Sequence, residues 1–244
     1  MNFLNHLGRY MFMLRDMTAR PDNWRMYLLE VFRQMNSIGV GSLIIIGIIS
    51  FFVGAVTAIQ FAYQLEASFL PPYILGFIIR DSVIIELAPT ISGLLLAGKV
   101  GSNISGELGS MRITEQIDAL EIMGINSRNY LLSPKIIASL LIVPPLILIA
   151  AFLGIWGGYL AATNYGISPA MYEKGLSYMF KPYNVFIMQV KSVVFAFLIT
   201  SVSCYQGYFV EGGAIDIGKA STRAVVFSSI LIILFDYIIT LLLT

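Results

Sequence analysis

Two stretches of this chain carry no charge for longer than a membrane is thick: Ile38–Ala62, 25 residues, and Ile136–Ala162, 27 residues. A helix needs about 20 apolar residues to cross a bilayer's hydrocarbon core, and lipid admits only helices or closed barrels because every backbone polar group must be satisfied internally. Runs of this length are helical rather than strand-like, so the chain must be an all-α integral membrane protein. Three more spans follow from the same reading. One begins between Pro71 and Ser82, ends near Gly98 and holds Glu86; Tyr183–Phe209 holds only Lys191; Ala224–Thr244 holds only Asp236. Pro144 and Pro145 predict a kink in the third span.

Composition agrees. Only 12% of the 244 residues are charged, against about 25% in soluble domains, and the length accommodates one bundle without a separate catalytic domain. Cys204 is the single cysteine and His6 the single histidine, which argues against an internal disulfide, a cysteine metal site or histidine-rich metal chemistry. Neither the net charge of +1 nor any basic cluster suggests nucleic acid.

Ahead of the first span, Phe3, Leu4, Leu7, Tyr10, Met11 and Leu14 recur at helical spacing, with Asn5, Arg9 and Asp16 on other faces. This predicts an interfacial helix lying on the membrane, ended by Pro21, then a second short helix at Trp24–Met35; a plain tail is the alternative. Residues 1–36 thus form an N-terminal region and 37–244 the membrane domain. The arginine-rich start lacks a cleavable apolar core, as expected of a bacterial inner-membrane protein. Basic residues set the orientation: Arg9, Arg15, Arg20, Arg25 and Arg33 join Arg112, Arg128, Lys135, Lys219 and Arg223 on one side, leaving chiefly Lys174 and Lys181 on the other. The N-terminus is therefore expected in the cytoplasm and the C-terminus in the periplasm.

Gly101–Gly124 is polar where its surroundings are not. An Arg or Asp at the bilayer centre costs roughly 2.5–3.5 kcal/mol, so this segment belongs in water or against protein. Plotted as one helix, Glu107, Ser110, Thr114, Asp118 and Glu121 share a face, and Leu108, Ile113, Ile117, Leu120 and Met123 lie on the remainder. Arg112 and Glu115, three apart, are placed to pair. Such a helix is suited to docking on a partner.

The run GELGSMRITEQIDALEIMG within this segment resembles the signature of the MlaE (YrbE) permease family, the membrane subunit of an ABC lipid transporter, matching at Glu107, Gly109, Met111, Arg112, Glu115, Gln116, Ile117, Asp118, Ala119 and Leu120. ELAPTISGLLLAGKVGS before it, GIWGGYL at Gly154–Leu160, VKSVVFA at Val190–Ala196 and GKASTRAVV at Gly218–Val226 extend the likeness from about Arg33 onward. The resemblance implies five transmembrane helices working as a homodimer. The cytoplasmic segment 101–130, between the second and third spans, would be the coupling helix seated on an ABC ATPase subunit (MlaF-like), through Glu107, Gly109, Met111, Arg112, Glu115, Gln116, Asp118 and Leu120. ATP and Mg would be bound by that partner; the chain itself has no phosphate-loop motif. A periplasmic MCE-domain protein (MlaD-like), and in some assemblies a STAS-domain subunit (MlaB-like), complete the expected partners, with phospholipid as cargo.

Intramembrane charges are functional candidates by default. Glu86 and Asp236 each fall about twelve residues from the cytoplasmic ends, ~18 Å at 1.5 Å per residue, and Lys191, somewhat further out, can reach either. The cluster either fixes helix register as an ion pair or supports a lipid cavity whose outer mouth, by family likeness, would include Gln60, Tyr63 and Glu86. Gly39, Gly41, Gly47 and Gly54 in the first span, and Gly154, Gly157 and Gly158 in the third, permit close helix approach within the bundle or at a dimer seam. Two other functions compete with this reading. An ion-coupled secondary transporter would use Glu86 and Asp236, but no internal repeat accompanies them. An intramembrane enzyme lacks clustered catalytic groups.

Overall fold

The computed structural model describes residues 3–17, 24–66 and 71–243, and these are helical with short connections. Five helices are long and apolar enough to cross a membrane: Trp24–Leu65, Ile74–Ile113, Ser127–Asn164, Pro182–Tyr208 and Ala214–Leu243. The expected stop at Pro21 and the end of the last span at Thr244 lie outside the described residues, as do the side chains of Phe3 and Leu4.

Helix α1 (Phe3–Asp16) docks one edge on the bundle. Met13 and Met17 are buried, the Tyr10 hydroxyl donates to Ser201 Oγ at 2.8 Å, and His6 Nδ1 lies 2.7 Å from the Tyr205 hydroxyl. Its flank keeps Leu7 and Met11 exposed, the arrangement of a helix that rests in an interface with its apolar side toward acyl chains.

The separate short helix expected at Trp24–Met35 does not exist. Helix α2 runs unbroken over Trp24–Glu66, because no proline intervenes and Asn36, Ser37 and Gly39 are tolerated where the neighbouring helix supports them. Added to Gly39, a Cβ would meet the Ile142 side chain at 2.6 Å. Helix α8 (Ser133–Asn164) is the main partner of α2 and passes through Pro144 and Pro145 as helix, which membrane helices allow. The two helices meet through glycine. A Cβ on Gly54 would fall 1.8 Å from the carbonyl oxygen of Gly154, and one on Gly157 would fall 2.1 Å from that of Phe51. These glycines serve contact inside one bundle.

The second span is longer than expected at its C-terminal end. Helices α3 (Ile74–Ser82), α4 (Ala88–Leu96) and α5 (Ser102–Ile113) follow one another without a loop, joined by π turns at Val83–Leu87 and Ala97–Gly101. Much of the polar segment is therefore the last three turns of a membrane-length helix packed on its neighbours. Ile104, Ser105, Leu108 and Gly109 are buried there.

Short helices α6 (Gln116–Ile122) and α7 (Ser127–Leu131) lead into α8. At the opposite end of the bundle, α9 (Pro169–Ser177) packs on α3; a Cβ on Gly175 would stand 2.0 Å from the carbonyl oxygen of Tyr73. Arg80, almost wholly buried, donates to the carbonyls of Leu176 at 2.6 Å and Tyr178 at 2.9 Å, at the end of α9 where helix dipole and free carbonyls favour a cation. Helices α10 (Pro182–Tyr208) and α11 (Ala214–Leu243) complete the bundle, and α10 is its most buried span.

Candidate functional site

Two polar assemblies interrupt this apolar bundle. The first is at the end where α5 stops. Thr114 leaves the helical region, and Glu115 takes the left-handed conformation with φ 59°, a state that costs a non-glycine residue roughly 1–2 kcal/mol. The polar segment is thus two helices with a sharp turn between them, not one. This corrects the single-face plot, and it changes the pairing. Arg112 does not pair with Glu115; its guanidinium reaches past the turn to Asp118 Oδ1 at 2.5 Å. The Thr114 hydroxyl donates to the Ser110 carbonyl at 2.8 Å and receives the Gln116 amide at 3.0 Å.

Helix α6 is also tied at its far end. The Glu121 carboxylate accepts the Ser127 hydroxyl at 2.7 Å and the Tyr208 hydroxyl at 2.9 Å. Those two bonds, Ser127's first, hold its carboxyl below the usual glutamate range. Arg128, beside the Tyr208 ring, pairs with Asp16 of α1. Gly124, at φ 78°, ends the helix in the left-handed form that glycine adopts freely. Below, Lys135 is almost completely buried and its ammonium bonds Glu107 Oε2 at 2.6 Å.

The eight residues expected to couple this segment to a partner therefore separate. Gly109 is buried, and a Cβ there would touch Ile217 and Val210 at 3.4 Å. Met111 and Leu120 are half-buried, Glu107 answers Lys135, and Arg112 with Asp118 braces the turn. Glu115 and Gln116 are presented to solvent, as is Glu107 beside its lysine. Ile122 and Met123, at the far end of α6, are 87% and 66% exposed. Ile122 was not singled out by the sequence. Its signal was an apolar side chain in a segment that otherwise puts such residues inward, and it is legible only once the helix break is known.

The second assembly lies inside the membrane. The Lys191 ammonium, fully buried, donates to the Ile85 carbonyl at 2.9 Å and Glu86 Oε2 at 2.9 Å, and lies 2.6 Å from Asp236 Oδ1. The Thr90 hydroxyl donates to Asp236 Oδ2 at 3.0 Å. One lysine from α10 therefore joins the second span to α11. Ile85 and Glu86 sit in the first π turn, where the helical ladder is loosened and a carbonyl can take an outside donor. Asp236 is buried, whereas the Glu86 side chain is 49% exposed. Gln60 and Tyr63 are exposed on α2 and take no part in this cluster. No group of three or more His, Cys, Asp or Glu able to hold a metal occurs among the described residues.

A bundle of five membrane-length helices that holds a buried lysine between two carboxylates, and keeps a braced polar turn at one end, is a multi-pass membrane protein. The chain belongs to the MlaE permease family, whose model matches residues 31–242. It is 38% identical over 216 residues to a probable ABC transporter permease protein of Rickettsia bellii, covering 88% of this chain and 83% of that one. Against the intermembrane phospholipid transport system permease protein MlaE of Haemophilus influenzae it is 31% identical over 244 residues, 98% of this chain and 92% of the relative. It is also 32% identical over 219 residues to the chloroplastic protein trigalactosyldiacylglycerol 1 of Arabidopsis thaliana, covering 89% of this chain and 61% of that protein.

Proposed function

We propose that this chain is the membrane permease subunit of an ABC transporter that moves phospholipid between a bacterial inner membrane and a periplasmic MCE-type carrier. ATP hydrolysis takes place in a separate subunit. Membership of the permease family, and the names of the Haemophilus and Rickettsia relatives, support the transporter class and the lipid cargo. The observation that carries the division of labour is the braced turn at Thr114–Glu115. A left-handed glutamate, held by Arg112–Asp118 on one side and by Glu121 on the other, is a stiff feature suited to transmitting force.

In this reading the end bearing α6 faces the cytoplasm. Glu115, Gln116 and the exposed Ile122–Met123 pair meet the ATPase, while Glu107, Gly109, Met111, Arg112, Asp118 and Leu120 set the geometry of that contact. Two copies form the working permease, the lipid occupies a cavity between them, and Glu86, with Gln60 and Tyr63 toward the outer mouth, borders it. An MCE-domain protein receives or delivers lipid outside, and a STAS-domain subunit is a further expected partner within.

The deciding experiment is co-purification of this chain with the product of a neighbouring ATPase gene, followed by lipid mass spectrometry. A complex of the two carrying phospholipid is expected, and Glu115→Lys removes the ATPase while leaving a folded bundle. A chain that never holds an ATPase and conducts protons through Glu86 and Asp236 would be a secondary transporter instead.

A further inference from the structure

Beside α1, next to the Tyr208 edge of the first assembly, a cavity of about 290 Å³ opens between α1, the end of α10 and the start of α11. It has room for several waters, enough for a phosphodiester and its glycerol. Its charge is not balanced. Arg9, Lys219 and Arg223 line it against Glu211 and Asp216, so with His6 neutral it carries one net positive charge, which a single phosphodiester would cancel.

Those charges are unequally engaged. Asp216 is occupied by Lys219, at 3.0 Å, and by the Gly213 amide, at 3.1 Å. Arg9 lies over the Phe209 ring at 6.0 Å, and among the described residues neither it nor Arg223 has a carboxylate within salt-bridge distance. Lys219 and Arg223 are one turn apart on α11, and Arg9 faces them from α1, so the two helices supply cations from opposite walls.

The cavity's level decides what it meets. From Ala224 to Leu243 α11 holds no charge but Asp236, and that stretch is about 30 Å long at 1.5 Å per residue, the thickness of a hydrocarbon core. Arg223 therefore stands at the edge of the hydrocarbon, where lipid phosphates lie, and Lys219 one turn beyond. The exposed Leu7 and Met11 of α1 and the rings of Tyr205 and Phe209 suit the same depth.

We propose that this cavity binds the phosphate of an anionic membrane lipid, held by Arg9 and Arg223 with its acyl chains along α1. Such a lipid would pin α1 to the bundle, and the site depends only on how α11 sits in the membrane, not on what is transported.

The test uses the full chain in detergent without its ATPase and counts retained lipid by native mass spectrometry. Probes are phosphatidylglycerol, phosphatidylcholine, glycerol 3-phosphate and inorganic phosphate. Phosphatidylglycerol is expected to be retained over phosphatidylcholine, with the preference falling on the order of tenfold in the double variant Arg9→Gln, Arg223→Gln and unchanged in Lys174→Gln, Lys181→Gln at the other end. The unsubstituted chain gives a second reading, since its preference should fade at high salt. Equal retention of the two lipids, or retention indifferent to the arginines, overturns the proposal. Full competition by glycerol 3-phosphate or inorganic phosphate would make it a site for soluble phosphate. If Arg223→Glu abolishes ATPase co-purification but leaves phosphatidylglycerol retention intact, the face belongs to the protein partner and the lipid assignment is wrong.

Discussion

Lys191 shows how much a single side chain can decide in a medium that cannot solvate it. Its ammonium has a carbonyl and two carboxylates as partners, and removing one member of a buried ion pair costs about 3–5 kcal/mol because the other charge is stranded. Lys191→Met should therefore lower the thermal midpoint in detergent sharply, while the triple change Lys191→Met, Glu86→Gln, Asp236→Asn should recover most of the loss. Equal destabilisation by single and triple variants would show that shape, not charge, holds these helices. Glu86, the exposed member, is expected to behave differently from Asp236: Glu86→Ala changes lipid occupancy more than folded yield, measured by lipid mass spectrometry beside size-exclusion recovery. Glu121 gives a pH dependence. Its carboxyl titrates below an ordinary glutamate, near 4.3 unfolded, so its stabilisation of α6 is complete above that value and is lost as pH falls through the lower folded one. Hydrogen exchange of the α6 amides should accelerate over that acidic window in the natural chain and show no such step in Glu121→Gln.

At the scale of elements, the α2–α8 seam and the α5–α6 turn make opposite demands on backbone. The seam needs glycine because carbonyls occupy the space where a Cβ would go. Gly54→Ala or Gly157→Ala should cost about 1–3 kcal/mol or more by overpacking, read as a fall in thermal midpoint, whereas Gly98→Ala, with nothing within 4 Å of the added carbon, should be neutral or slightly stabilising. The turn instead has a glutamate where glycine would be easier. Glu115→Gly should raise stability by relieving the left-handed cost and, on the proposed function, weaken ATPase retention. A variant that is both more stable and fully coupled would mean that the Glu115 side chain does not touch the partner. The separate helix expected at Trp24–Met35 fails for a related reason: polar residues and glycines signal an end only where no neighbouring helix supports them, and α8 supports these.

Across the whole molecule, the bilayer itself made most of the fold legible. Lipid leaves an uncharged run of 25 residues no choice but a helix, so the five spans, α1 and the polar segment could be read from the order of residues alone, as could the family to which their motifs belong. Partner choice could not. Whether Lys191 meets Glu86, Asp236 or both depends on how helices distant in sequence are rotated against one another, and whether Arg112 turns to Glu115 or Asp118 depends on the backbone break between them. The break at Thr114–Glu115 was equally hidden, because an amphipathic plot assumes the helix it seeks to describe. Periodicity and composition are local, and solvent imposes them on each segment separately; pairing, burial of Gly109 and Lys135, and exposure of Ile122 arise only when the segments pack, which is where the tertiary structure decides.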